Sequence, residues 1–243
     1  MTAVSGAETT RILGDCGYSG EAGDPPGGFP GIFASIAQDY FAAHGDHSAT
    51  LARIAAKNHA NGALNPWAHM RKDLGFEFCN TVSDRNPMIA APLRKTDCSL
   101  VSDGAAALVL ARASTAQAMG AKPIARIVAH TTHAQEPNWF ATAPVGATNK
   151  LLAKTCWTVA DVDLWEINEA FAVVPMALMT EMSIPHEKVN VNGGACALGH
   201  PIGASGARIL VTLLHALQAR GGKKGVATLC IGGGEATAMA IEL

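Results

Sequence analysis

Residues 205–220, SGARILVTLLHALQAR, run into Gly221-Gly222, and residues 226–243, VATLCIGGGEATAMAIEL, follow. Ile209, Leu210, Leu213, Leu214 and Leu217 form one apolar stripe at helical spacing, and the paired glycines mark its end. Two short apolar runs on either side of Gly232-Gly233-Gly234 predict a β-hairpin. Upstream, residues 161–167 (DVDLWEI) alternate as a strand does. Asn168 then reads as the cap of a helix reaching about Met182, with a kink expected at Pro175. Residues 147–155 predict an amphipathic helix and residues 125–130 another strand. Strands alternating with helices predict an α/β layered sheet, and the closing hairpin makes that sheet mixed.

The first half is less regular. Residues 14–30 are rich in Gly and Pro and read as a loop. Ile32, Phe33, Ile36, Ala37, Tyr40 and Phe41 recur at helical spacing, and Gly45 closes that helix. A second helix starts near Ser48 as N-cap, carries Leu51, Ile54 and Ala55 on one face, and ends in residues 58–62. Residues 63–95 read as a loop-rich excursion with a short helix. Residues 99–113 (SLVSDGAAALVLARA) predict a turn at Asp103-Gly104 and then a buried strand. The pieces 103–110 and 234–241 are similar in type, a hint of two related halves.

Composition narrows the function classes. Hydrophobic residues make up 49 % and charged ones 16 %, which builds a core and excludes general disorder. Apolar runs such as residues 209–214 stop far short of the roughly 18 residues of a membrane span. A net charge of −2 offers neither a nucleic-acid footprint nor a polybasic membrane patch. Cys16, Cys79, Cys98, Cys156, Cys196 and Cys230 contain no CxxC pair and no close Cys/His spacing, so no metal site is expected. With no secretory leader read at the start, reduced thiols and a cytoplasmic location are expected. Eleven of the 25 glycines fall at or after residue 193, so unusual backbone concentrates at the C-terminal end.

Three segments there could carry chemistry. His200 stands between glycines and before Pro201, ahead of the long helix, where bare backbone can approach a ligand. Cys230 ends a strand and opens into three glycines, a setting for a reactive thiol beside backbone amides. Asn168 and Glu169 lie where a strand meets a helix, the ligand edge of an α/β sheet. Taken singly, each also suits a structural role: a satisfied histidine, an inert buried thiol and a helix cap.

Together the three resemble the thiolase superfamily. Residues 192–208 (NGGACALGHPIGASGAR) are similar to its His signature, Cys230 to Gly234 to its C-terminal Cys signature, and NEAFA at 168–172 to its Asn motif. The helix-loop segment 29–92, with Lys57-Asn58-His59 and Asn65-Pro66, is more like the sterol-carrier-protein-2 type, whereas NEAF resembles acetoacetyl-CoA and general ketoacyl-CoA thiolases. The resemblance implies a layered αβαβα fold with mixed sheets. Residues 1–115 would be the remainder of an incomplete N-terminal half, with the loop region at about 14–95, and residues 116–243 the C-terminal half. It also implies acyl transfer between CoA thioesters, by thiolytic cleavage or Claisen condensation, in fatty acid metabolism. CoA and acyl-CoA would be substrates, with no further cofactor, and the complete form would be a homo-oligomer.

By motif, Cys230 resembles the acid/base Cys that exchanges the α-proton. His200 resembles the His that activates the nucleophilic Cys and donates to the thioester oxygen. Asn168 resembles the residue holding a water at that oxyanion site, and the Gly232 N–H would serve a second oxyanion hole. The nucleophilic Cys itself is not matched. Residues 2–8 resemble the strand that follows it, and Cys16, Cys98 and Cys196 are poor stand-ins. Turnover by this chain alone is therefore not expected, and a catalytically inactive CoA- or partner-binding protein, or a truncated product, is the alternative reading. A Ser that commonly contacts the pantetheine is replaced by Ala129, with Thr131 and Thr132 beside it. Unpaired sheet edges predict poor solubility or self-association. An assembled site predicts that Cys230 is alkylated faster than Cys98 or Cys156.

Overall fold

A computed structural model describes residues 28–243. The order of elements is α1 (Gly28–His44), α2 (Ser48–Leu64), α3 (Gly75–Asn80), β1 (Met88–Ala90), β2 (Leu93–Arg94), α4 (Ala113–Ala118), β3 (Arg126–Ala134), α5 (Ala143–Thr155), β4 (Leu164–Ile167), α6 (Val173–Met182), α7 (Ala195–Leu198), α8 (Ser205–Arg220), β5 (Lys224–Ile231) and β6 (Glu235–Glu242). Cys16 and the Gly/Pro-rich loop up to residue 27 lie outside the described residues.

The central sheet has the order β3-β6-β5-β4. β3 and β5 pair antiparallel with β6, and β4 pairs parallel with β5, so the sheet is mixed as its hairpin requires. On one face lies α8. Its Ile209, Leu213, Ala216 and Leu217 pack on Leu164, Ala227 and Ile241. Burial of each large side chain in that stripe contributes about 1.5–3 kcal/mol. The other face carries α5, α6 and α1 around Trp165, Ile167, Val226 and the alternating Ala236, Ala238 and Ala240 of β6. Phe33 of α1 packs on Phe171, ring centroids 4.2 Å apart, and so ties α1 to the loop after β4.

The hairpin, the α8 helix and the strands at β3 and β4 stand where the sequence pattern puts them. Three details differ. Asn168 does not cap a helix: α6 begins at Val173, and the Asn168 backbone N–H donates to Thr228 O at 3.0 Å, prolonging the pairing of β4 with β5. Pro175 falls in the first turn of α6, where its missing N–H has no helical partner to lose, so no kink is needed. α2 continues through residues 58–62 to Leu64, because Asn58 and His59 are buried and held by tertiary packing rather than frayed.

The largest difference is at residues 99–112. They carry no regular structure, and Val101, Val109 and Leu110 are exposed rather than buried. A strand needs a neighbour for its backbone groups, and among the described residues no strand is aligned beside this one. A second difference concerns membrane spans. The stretch Ile202–Arg220 is long and apolar enough to cross a bilayer by length and composition, which the reading of residues 209–214 alone missed. Its Ile209, Leu213, Ala216 and Leu217 pack on the sheet, and most of its other side chains are half-buried or exposed.

Candidate active site

β4 and β5 run parallel, with Ile167 beside Thr228, and both end at the same edge of the sheet. Asn168 leaves the end of β4. Cys230 lies two residues beyond Thr228 on β5, just before the turn that holds Gly232. The loop from α7 into α8 brings His200 across this edge. Its backbone N–H donates to Leu100 O at 2.9 Å, and Asn168 Nδ2 stands 3.4 Å from His200 Nε2. On the other side of the ring, His200 Nδ1 is 2.6 Å from Ser205 Oγ, whose hydroxyl also reaches Pro201 O at 3.0 Å. Asn168 and His200 are thus in contact, and the topology places Cys230 and Gly232 at the same strand ends.

Behind these residues lies a buried carboxyl–guanidinium layer that the sequence reading passed over. Arg208 Nη2 donates to Asn168 Oδ1 at 3.5 Å, and its Nη1 stands 3.7 Å from Glu166 Oε2. Burial pushes the Glu166 carboxyl up to about 8, opposed by the Arg208 charge. The signal was present: Ser205 and Arg208 are an i, i+3 polar pair at the start of the helix, and Glu166 is an ionisable residue in a four-residue strand that is buried throughout. Glu169 has a scaffolding position. It accepts from Asn190 Nδ2 and from Cys196 N at 3.2 Å, and its carboxylate fills the space that a Cβ on Gly194 would need. Asn190 in turn pairs with both backbone groups of Ile167 at 2.8 Å. Lys57 donates to Val189 O at 2.7 Å and His186 O at 3.0 Å, and burial lowers its ammonium to about 8. The loop that leads to His200 is therefore tied to β4 and to α2.

The protonation states follow from burial. Desolvation first, then the Arg208 charge, lowers His200 to about 4, so its imidazole is neutral near pH 7. Burial pushes the Cys230 thiol up to about 12, so it holds its proton, the state needed to protonate a leaving enolate. Cys156 is exposed at the end of α5 and Cys230 is partly buried, so the raised thiol runs against the expected preference for Cys230 over Cys156. Cys79 and Cys98 are raised to about 11 and 12 by burial, and Cys196 well above its ordinary value, its thiol directed at Asp97 O. These three belong to the packing. Among the described residues, Cys230 is the one thiol at the strand edge that carries Asn168. Thr131 donates to Ala147 O at 2.7 Å, so its hydroxyl is engaged within the fold and does not replace the one absent at the buried Ala129.

Comparison with known proteins bears on this arrangement. Residues 121–243 match the family model described as "Thiolase, C-terminal domain". An acetyl-CoA acetyltransferase of Escherichia coli (strain K12) is 54 % identical over 183 residues, 75 % of this chain and 42 % of the relative. The cytosolic acetyl-CoA acetyltransferase of Mus musculus is 51 % identical over 146 residues, 60 % of this chain and 37 % of the relative. The crystal structure of the Bacillus anthracis acetyl-CoA acetyltransferase superposes with a TM-score of 0.76 at 31 % identity, covering 86 % of this chain and 59 % of that one. Human mitochondrial 3-ketoacyl-CoA thiolase gives a TM-score of 0.74 at 27 % identity over 86 % of this chain. The match thus spans well under half the length of these curated relatives.

Proposed function

The chain belongs to the thiolase family, and from that premise we propose that its strand-edge residues form the acid/base part of a site for acyl transfer between CoA thioesters. The carrying observation is the contact of Asn168 with His200 at the edge where Cys230 also ends its strand. In thiolytic cleavage a thiolate adds to the ketone of a 3-ketoacyl-CoA, and the bond between its α-carbon and that carbonyl breaks. His200 Nε2 takes the proton of the attacking thiol and then presents it to the oxyanion. Cys230 gives its proton to the enolate of the departing acetyl-CoA and recovers one from the incoming CoA thiol. Preorganised donors, among them the Gly232 N–H, stabilise the negative oxygen of each half-reaction. The nucleophilic thiol is not among the described residues, and the chain is expected to bind acyl-CoA. Free thiols and the cytosolic relative support a cytoplasmic setting, and the complete form is a homo-oligomer.

A second reading, a CoA-binding protein without catalysis, draws on that same lack of a nucleophile among the described thiols. One experiment addresses both. The chain is alkylated at pH 8 with and without acetyl-CoA, and acetoacetyl-CoA plus CoA is assayed for cleavage. Acetyl-CoA is expected to protect Cys230 and leave Cys156 reactive, with no cleavage. Equal labelling of Cys230 with and without millimolar acetyl-CoA would remove the acyl-CoA reading. Cleavage abolished by Cys16→Ala would place the nucleophile at Cys16 and remove the non-catalytic reading.

A further inference from the structure

His200 has a side-chain contact at each ring nitrogen, and one of them involves a residue with no assigned role. Ser205, the first residue of α8, is fully buried, and its Oγ lies 2.6 Å from His200 Nδ1 and 3.0 Å from Pro201 O. A carbonyl oxygen only accepts, and a hydroxyl has one proton. With that proton on Pro201 O, Oγ faces Nδ1 with a lone pair, so Nδ1 must carry the imidazole hydrogen. The other side of the ring agrees. Arg208 Nη2 donates to Asn168 Oδ1, which orients that amide with its NH₂ group towards His200 Nε2. Nε2 is met by a donor and must be unprotonated.

We propose that Ser205 is a positioning residue that fixes His200 in the Nδ1–H tautomer and so leaves Nε2 as a bare base at the strand edge. The physical need is general: a neutral imidazole has one basic nitrogen, and which one is decided by the partner of the other. Nε2–H is the commoner form of a free histidine in water. Without Ser205, Nδ1 has no other side-chain partner among the described residues, and the ring is free to place its hydrogen on the nitrogen that faces Asn168. The hydrogen bond also fixes the ring plane. Its acceptor sits on the rigid start of a sixteen-residue helix whose far stripe is locked into the core. The use of the bare nitrogen rests on the acyl-transfer reading; the tautomer itself does not.

The test reads nitrogen rather than turnover. The full chain is labelled with ¹⁵N-histidine, and the imidazole shifts and two-bond couplings of His200 are recorded near pH 7, assigned by their loss in His200→Asn. The wild-type chain is expected to show Nδ1–H. Ser205→Ala should move at least half of the population to Nε2–H, and Ser205→Thr, which keeps the hydroxyl, should restore Nδ1–H. A wild-type Nε2–H tautomer overturns the proposal without any variant, even if Ser205→Ala does not fold. So does a Ser205→Ala chain that keeps Nδ1–H. Protection of Cys230 by acetyl-CoA is measured on the same wild-type sample; its absence alongside the expected tautomer refutes the acyl-CoA reading and leaves the role of Ser205 standing.

Discussion

Asn168 and His200 are 32 positions apart in the chain and 3.4 Å apart at their side-chain nitrogens. The contact exists because the Asn168 backbone continues the ladder of β4 against Thr228, while His200 is pinned from behind by Leu100 O. Asn168→Ala removes the donor to Nε2 and the acceptor of Arg208, leaving the ring without its orienting partner. Each of the two lost contacts is worth about 1–1.5 kcal/mol. Acetyl-CoA affinity by titration calorimetry should fall about tenfold, and because Asn168 is buried the melting temperature should fall as well. A change under twofold would mean that Asn168 takes no part in the site.

The C-terminal half was largely legible because its signals are local. The stripe of α8, the paired glycines after it and the triple-glycine turn each state a conformation within a few residues. Asn168 was placed correctly and given the wrong local task, since a cap and a strand-end side chain have the same sequence signature. What stayed hidden is what depends on long-range partners. Glu166 and Arg208 lie 42 positions apart and meet only once the sheet and α8 pack. Residues 99–112 read as a buried strand because their composition is that of one, yet composition does not supply the neighbour that makes a strand.

The turn after Cys230 offers a stability test at two glycines of the same turn, Gly232 and Gly234. Gly234 has φ of +102°, and an added Cβ would lie 2.2 Å from Gln135 O, whereas Gly232 has open space at that point. Gly234→Ala must both strain the backbone and push β6 from its pairing with residues 134–135, at a cost of about 2 kcal/mol or more. Gly232→Ala keeps its N–H and meets nothing, so its effect should stay within about 0.5 kcal/mol. Urea midpoints of the two variants compare them directly, and equal losses would contradict the turn geometry.

Residues 99–112 offer an association test. Val101, Val109 and Leu110 are exposed in a segment that joins no sheet among the described residues, the features that promote edge-to-edge pairing. Val109→Lys places a charge in that strip without touching the core. Sedimentation at rising concentration should show less self-association in the variant, at an unchanged melting temperature. Identical sedimentation of the two chains would locate any association elsewhere.

Acid stability should report the state of His200. Its folded pKa, about 4, lies below the ordinary 6.5 because burial, then Arg208, disfavours the cation. Between those values the unfolded chain binds a proton that the native chain does not. Its contribution is therefore complete above pH 6.5 and drains as pH falls towards 4, by at most about 1.4 kcal/mol per pH unit. His186, lowered to about 4 by burial and by Lys57, adds a slope of the same sign. Glu166 opposes them. Its folded value of about 8 exceeds the ordinary 4.5, so its contribution is complete below 4.5 and is lost as pH rises through 8. His200→Asn isolates one of these slopes. Between pH 6.5 and 4.5 the wild-type urea midpoint should fall more steeply than that of the variant, with the gap changing by about 2 kcal/mol. Parallel curves would mean that His200 titrates as a free histidine does, and that the edge of the sheet is open to water at its ring.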